Sequence, residues 1–137
     1  MRKYVGVLVK HKGEFLLCRR NPNTKSLPGM WSIPAGKLED GETTHEAAKR
    51  EFYEETNISI LNKKISLLNI IERYSRDGSR VNGEFWVYLL ESPTRLVPDL
   101  VNAIDGDEHD QCGYFIVEEL DGLNIDNKLK NLIKSLF

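Results

Sequence analysis

The stretch from Gly36 to Ile58, GKLEDGETTHEAAKREFYEETNI, decides how this chain is read. Thr43 or Thr44 can cap a helix, with Glu46 in its first turn. Ala47, Ala48 and Phe52 recur on its apolar side, and the element ends near Asn57. Glu51, Glu54 and Glu55 are spaced i, i+3, i+4, which puts three carboxylates on one side of that helix. Like charges so spaced repel, and they lie in the later turns, where the helix dipole disfavours negative charge. A sequence that only wanted a stable helix would not place them there. A cation is expected to offset the repulsion, and a hard divalent metal with oxygen ligands leads the candidates.

On the N-terminal side, Tyr4 to Val9 reads as a strand, His11 to Glu14 as a turn, and Phe15 to Arg19 as the returning arm of a hairpin. Asn21 to Met30 is full of turn formers and reads as a loop. A short strand at Trp31 to Ile33 stops at Pro34, and extended structure resumes at Gly36. On the C-terminal side, strands are expected over Ile65 to Tyr74 and Glu84 to Leu90, joined through the turn pair Asp77-Gly78. The run from Ser92 to Gly113 has no clear period, and a loop of about 20 residues in a compact domain is usually functional or mobile. A short strand at Tyr114 to Val117 follows. Asp126 can then cap a last helix that turns Leu129, Leu132, Ile133 and Leu136 to the core.

Strands mixed with two helices give an α/β or α+β class, and 137 residues suit one domain, 1–137, with a real core. The formal net charge of −2 comes with no basic stripe, so no stable nucleic-acid complex is expected. No apolar run approaches a membrane span, and the basic-then-apolar N-terminus breaks too early for a leader, so it reads as a first strand. Cys18 and Cys112 show no CxxC spacing and read as reduced thiols in a cytoplasmic protein.

The box resembles the signature of the Nudix hydrolases. The matching positions are Gly36, Glu42, Arg50, Glu51, the apolar Phe52, Glu54, Glu55 and the apolar Ile58, with Asn57 where the family has glycine. Asn is the next best residue at a left-handed helix C-cap, so this departure is mild. At average residue usage, the chemically fixed positions match by chance with odds on the order of 10⁻⁵ per chain.

The resemblance covers nearly the whole chain and implies a Nudix-type α/β/α sandwich with a mixed sheet. It implies Mg²⁺ or Mn²⁺ as cofactor and hydrolysis of the phosphoanhydride of a nucleoside diphosphate linked to another moiety. That moiety could be a sugar, ribose, a second nucleotide or, in a nucleoside triphosphate, a further phosphate. It carries Glu51, Glu54 and Glu55 over as the metal-binding and base-forming set, without choosing the base among them. The carbonyl of Ala35 matches a position that also reaches the metal. Arg50 has two readings: pairing with Glu46 or Glu54 one turn away, or the salt bridge that the resemblance implies, orienting the glutamates with Glu42. Some relatives add an acidic residue from a late loop. Glu108, six residues before Tyr114, is the candidate, with Asp110 and Asp107 behind it and a solvated acidic loop as the bland reading.

Substrate contacts are expected from Arg19 or Arg20, of which only one should point inward because strand neighbours face opposite ways. Trp31 and Tyr74 are stacking candidates, Trp86 reads rather as core, and Lys37 is a candidate phosphate contact. His11 and His45 read as surface residues, and His109 as incidental. The partner is a small nucleotide, with a homodimer left open. The rival reading is a Nudix-fold module that senses such a ligand without cleaving it. Its usual mark is a lost glutamate, whereas every acidic position of the box is present.

Overall fold

The computed structural model describes residues 1–75 and 77–137. Seven strands form one mixed sheet: β1 (Arg2–His11), β2 (Glu14–Arg20), β3 (Trp31–Ser32), β4 (Ala35–Lys37), β5 (Ser66–Tyr74), β6 (Val81–Glu91) and β7 (His109–Phe115). The main path runs β3-β2-β1-β6-β5, with β4 beside β1 and β7 beside β2. β1 and β6 pair in parallel over Arg2–Lys10, and the other pairings are antiparallel.

Alternation along β1 explains the layers. Val5, Val7 and Val9 face one side, where they pack with Ala47, Ala48 and Phe52 of α1 (Thr44–Thr56). Leu8 faces the other side and joins Phe15, Phe85 and Val87 against Leu129 and Ile133 of α2 (Asn127–Lys134). Both faces of this strand are thus buried, and the molecule is the three-layered α/β fold expected from the box. Leu132 and Leu136 are only partly buried at the edge of the α2 layer.

The open edge of β1 is shared. β2 pairs with its C-terminal end at Lys10–Phe15 and His11–Glu14, whereas β4 pairs with its N-terminal end at Tyr4–Lys37, Val5–Gly36 and Gly6–Ala35. Between these two partners the sheet splays, and a cleft of about 980 Å³ opens there.

Several expectations change in detail. β7 starts at His109, five residues before Tyr114, because polar HDQCG pairs with β2 instead of forming a loop. That register sets Cys112 directly opposite Cys18, and the structure joins them as a disulfide, which corrects the reading of two reduced thiols. Their wide separation in sequence held no information about it. His11 is buried, not a surface residue, and its Nδ1 lies 2.9 Å from the carbonyl of Ser92. His45 is exposed. Among the described residues no helix is long and apolar enough to cross a membrane.

Candidate active site

Helix α1 begins with a full capping box. Thr43 accepts the N–H of Glu46, and the Glu46 carboxylate accepts the N–H of Thr43. It ends at Asn57, whose φ of 62° is left-handed, as its place in the box required. The 3-10 turn Gly106–Glu108 and the loop before it close over this C-terminal end. Asp99 donates its N–H to the Thr56 carbonyl and Asp105 donates its own to that of Glu54, so two free helix carbonyls are satisfied by the acidic loop. Glu108 is thereby brought to the box glutamates from 53 residues further along the chain than Glu55.

Arg50 is the hub of the carboxylates. Its Nε lies 2.6 Å from Glu42 Oε2, and its Nη1 is 3.0 Å from both Glu51 and Glu54. Nη2 donates to Glu42 and to the carbonyl of Lys37. Both sequence readings of Arg50 therefore hold in part: it bonds Glu54 one turn on and also ties the helix to Glu42. Glu46 is not its partner, being occupied in the cap. The hydrogen bond from Arg50 holds Glu42 below the usual carboxylate range. Glu51 is pushed up by burial, against the opposing pull of Arg50.

Glu55 is different. Its side chain is 1% exposed, and no N–H or hydroxyl donor reaches either oxygen among the described residues, although the Glu108 carboxyl lies close enough to share a proton with it. Burial, with Glu108 and Glu51 adding to it, pushes its pKa well above the usual range. Glu108 is likewise raised, first by burial, although Arg20 opposes. His109 Nδ1, also without a partner, lies 3.6 Å from Glu55 Oε1, and burial lowers this imidazole to about 4. His109 is thus a buried residue opening β7 beside Glu55, not a solvated loop residue, and the sequence signal for its position is its place directly after Glu108.

A buried carboxylate with no donor is rare: it either keeps its proton, as its raised pKa and the Glu108 carboxyl beside it allow, or meets a cation. Glu51, Glu55 and Glu108 are oxygen donors of the kind a hard divalent metal takes, and they are close enough that Glu108 raises the proton affinity of both Glu51 and Glu55. Gly36 agrees, since a Cβ there would overlap the Glu51 carboxylate. As the side chains stand, however, no three of them already converge on one point among the described residues.

Ala35, Gly36, Lys37, Glu51 and Glu108 line the cleft. Of the two arginines, Arg20 points into it beside Glu108, 3.7 Å away. Arg19 turns out and makes a two-pronged bond with Asp110, so the inward residue is Arg20. Asp110 is therefore taken, and of the three acidic candidates it is Glu108, lining the cleft, whose carboxyl meets Glu55. Tyr74 lines the cleft with its hydroxyl donated to Glu72. Trp31 does not line it: the ring stands edge-on to Phe115 at 5.0 Å, which makes it a packing residue. Trp86 packs with the α1 layer and donates to Glu84.

The family model of the NUDIX domain matches residues 1–136. The chain belongs to this family. NudI, a nucleoside triphosphatase of Klebsiella pneumoniae subsp. pneumoniae, is 36% identical over 80 residues, 58% of this chain and 53% of that protein. The match thus spans about half the length of the curated relative. Among solved structures, a MutT NUDIX hydrolase from Burkholderia pseudomallei superposes with a TM-score of 0.80 at 21% identity, covering 99% of this chain and 98% of that one. A MutT protein from Methanosarcina mazei Go1 gives 0.76 at 20% identity, covering 98% and 91%. At such identities these two establish the NUDIX fold of the chain, in agreement with its sheet order and its helix layers.

Proposed function

We propose that this NUDIX chain is a divalent-metal-dependent pyrophosphohydrolase acting on a nucleoside diphosphate linked to another moiety, with nucleoside triphosphates in the candidate set. The observation that carries the reading is Glu55, a carboxylate buried without a donor beside Glu51 and Glu108. The name of the relatives matched over about half their length, nucleoside triphosphatase, supports a triphosphate within that set.

Glu51, Glu54, Glu55 and Glu108, with the carbonyl of Ala35, are the groups that would hold Mg²⁺ or Mn²⁺. When bound, such an ion neutralises phosphate charge and makes a coordinated water more acidic. The protein's own residues do the rest. Arg50 fixes Glu51 and Glu54 against rotation, so a water near them meets a carboxylate already in place. One glutamate of the set takes the proton of that water as its oxygen attacks phosphorus. The bridging P–O bond breaks, and its electron pair leaves on the departing phosphate. Arg20 and Lys37, on the cleft wall, neutralise phosphate oxygens not held by the metal.

The test is a panel of nucleoside triphosphates, nucleotide sugars, ADP-ribose and dinucleoside polyphosphates incubated with Mg²⁺ or Mn²⁺, with products resolved by chromatography. Pyrophosphate from triphosphates, or AMP with a sugar phosphate, supports the reading and names the substrate. Tight binding with no cleavage of any member favours a sensing module instead.

A further inference from the structure

The cleft carries a second unmatched group at the end away from the box glutamates. Arg73 of β5 lies over two aromatic rings, its guanidinium carbon 5.4 Å from the Tyr4 centroid and 5.1 Å from that of Phe85. Its Nε is buried without a hydrogen-bond partner. Among the described residues it makes no ion pair. Such a donor needs an acceptor as much as Glu55 needs a cation. The two rings screen the Nε edge of the guanidinium from water, a setting in which an incoming anion gains more than it would on an open surface.

The register places a second arginine beside it. Arg2 of β1 pairs with Gly83 of β6, and Gly83 pairs with Arg73 of β5, so the three form one row across the sheet. Alternation puts Arg2 and Arg73 on the same face as Tyr4, Phe85 and Ile71. Two strand spacings set the arginines about 10 Å apart, and the glycine between them contributes no side chain. Both line the cleft. The carboxylates at this end are engaged elsewhere: Asp126 accepts the N–H of Leu129, and Glu72 accepts the Tyr74 hydroxyl. Lys128, which donates to the Glu72 carbonyl, adds a further cation to the rim. From Gly36 to this row is about 10 Å along the strands and about 14 Å across them, a span that the parts of one extended dinucleotide-sized ligand can bridge.

We infer that Arg73, with Arg2, forms a second anion-binding subsite, which takes a phosphate or carboxylate on the part of the substrate remote from the scissile phosphoanhydride. This rests on the proposed function for the position of the scissile bond. It adds that the preferred substrate carries an anionic group beyond its diphosphate.

The test uses matched pairs that differ in one anion: a uridine diphosphate hexose against the corresponding hexuronate, and ADP-ribose against its 2′-phosphate. Binding is measured by calorimetry in EDTA, where nothing is cleaved, for the wild type, Arg73→Gln, Arg73→Lys and Arg2→Gln. The anionic member of one pair binds about tenfold tighter than its partner to the wild type, as one charge-assisted contact predicts. Which pair responds separates carboxylate from phosphate. Arg73→Gln abolishes the preference while the member lacking the extra anion keeps its Kd within about twofold, and Arg73→Lys retains part of it. Arg2→Gln, an exposed position that unfolding does not threaten, reduces the preference by itself. Equal or undetectable binding by both members of both pairs overturns the subsite, as does a preference that survives Arg73→Gln and Arg2→Gln. Hydrolysis of the members lacking the extra anion is read separately in Mg²⁺, so the subsite can fail while the pyrophosphohydrolase reading stands.

Discussion

His109 Nδ1 and Glu55 Oε1 stand 3.6 Å apart, each on a side chain 1% exposed and each without a hydrogen-bond partner among the described residues. That distance is too long for a hydrogen bond. The helix and the acidic loop therefore meet at two polar atoms that are close but not satisfied, where a bound cation would draw on the carboxylate. The first prediction follows from the carboxylates themselves. Glu54→Gln and Glu55→Gln keep the shape and hydrogen-bonding size of the side chain but remove its charge. Each lowers kcat by about 10²-fold or more, the equivalent of several kcal/mol of lost charge stabilisation, with circular dichroism unchanged. Near-normal turnover in both variants would sink the site assignment.

Without metal, Glu55 costs the fold stability. Its folded pKa lies above the unfolded value of 4.5, so the native state holds on to a proton that the unfolded chain releases. Its contribution is present below that value and is lost as pH rises. His109 acts oppositely: with a folded value of about 4 against 6.5 unfolded, its contribution is present above 6.5 and lost as pH falls toward 4. Glu55→Gln removes the first dependence only. In EDTA at pH 7.5 the variant is more stable than wild type by about 1–3 kcal/mol, the cost of an unsatisfied buried group. The gap closes as pH approaches 4.5. Urea titrations at several pH values check it, and a variant less stable at pH 7.5 counts against the buried, partnerless carboxylate.

Arg50 serves Glu42, Glu51, Glu54 and the Lys37 carbonyl through one planar fork. Lysine keeps the charge but cannot reach these partners together. Arg50→Lys is expected to cost about 1–3 kcal/mol of stability and to lower kcat more than it changes KM. Equal kcat with a shifted KM would assign Arg50 to substrate binding instead.

Gly106 lies where any Cβ would overlap the carbonyl of Leu100. Gly106→Ala therefore pushes the acidic turn outward, costing about 1–3 kcal/mol as overpacking does, and moves Glu108 from the cleft. Thermal unfolding and Mn²⁺ binding followed by electron paramagnetic resonance should both weaken. Unchanged metal binding would remove Glu108 from the ligand set.

Asn57 holds a left-handed conformation that glycine adopts more easily. Asn57→Gly leaves activity intact with a stability change of a few tenths of a kcal/mol, whereas Asn57→Val costs about 1–2 kcal/mol. Differential scanning calorimetry on the pair measures both.

Local pattern made much of this legible. The Thr43 cap, the buried Ala47, Ala48 and Phe52, and the left-handed Asn57 each follow from neighbours within one or two turns. The long-range placements were harder. HDQCG has no alternation, yet it is a strand, because what makes it one is the register against β2. Trp31 looked like a platform from its nearness to Gly36, but Phe115, far along the chain, claims its ring. Arg73 gives no sign in sequence at all, since its meaning depends on Tyr4, Phe85 and Gly83 from two other strands. Charge on a helix can be read from spacing; the environment of a strand residue is set by strands not yet known.

The backbone bonds from Asp99 and Asp105 to the Thr56 and Glu54 carbonyls have one more consequence. They make the acidic loop a continuation of the box helix, so the carboxylates from both segments are gathered when the chain folds. A cation or nucleotide bound as proposed would meet a backbone whose ordering entropy has already been spent, leaving side-chain rotations to bring the donors together.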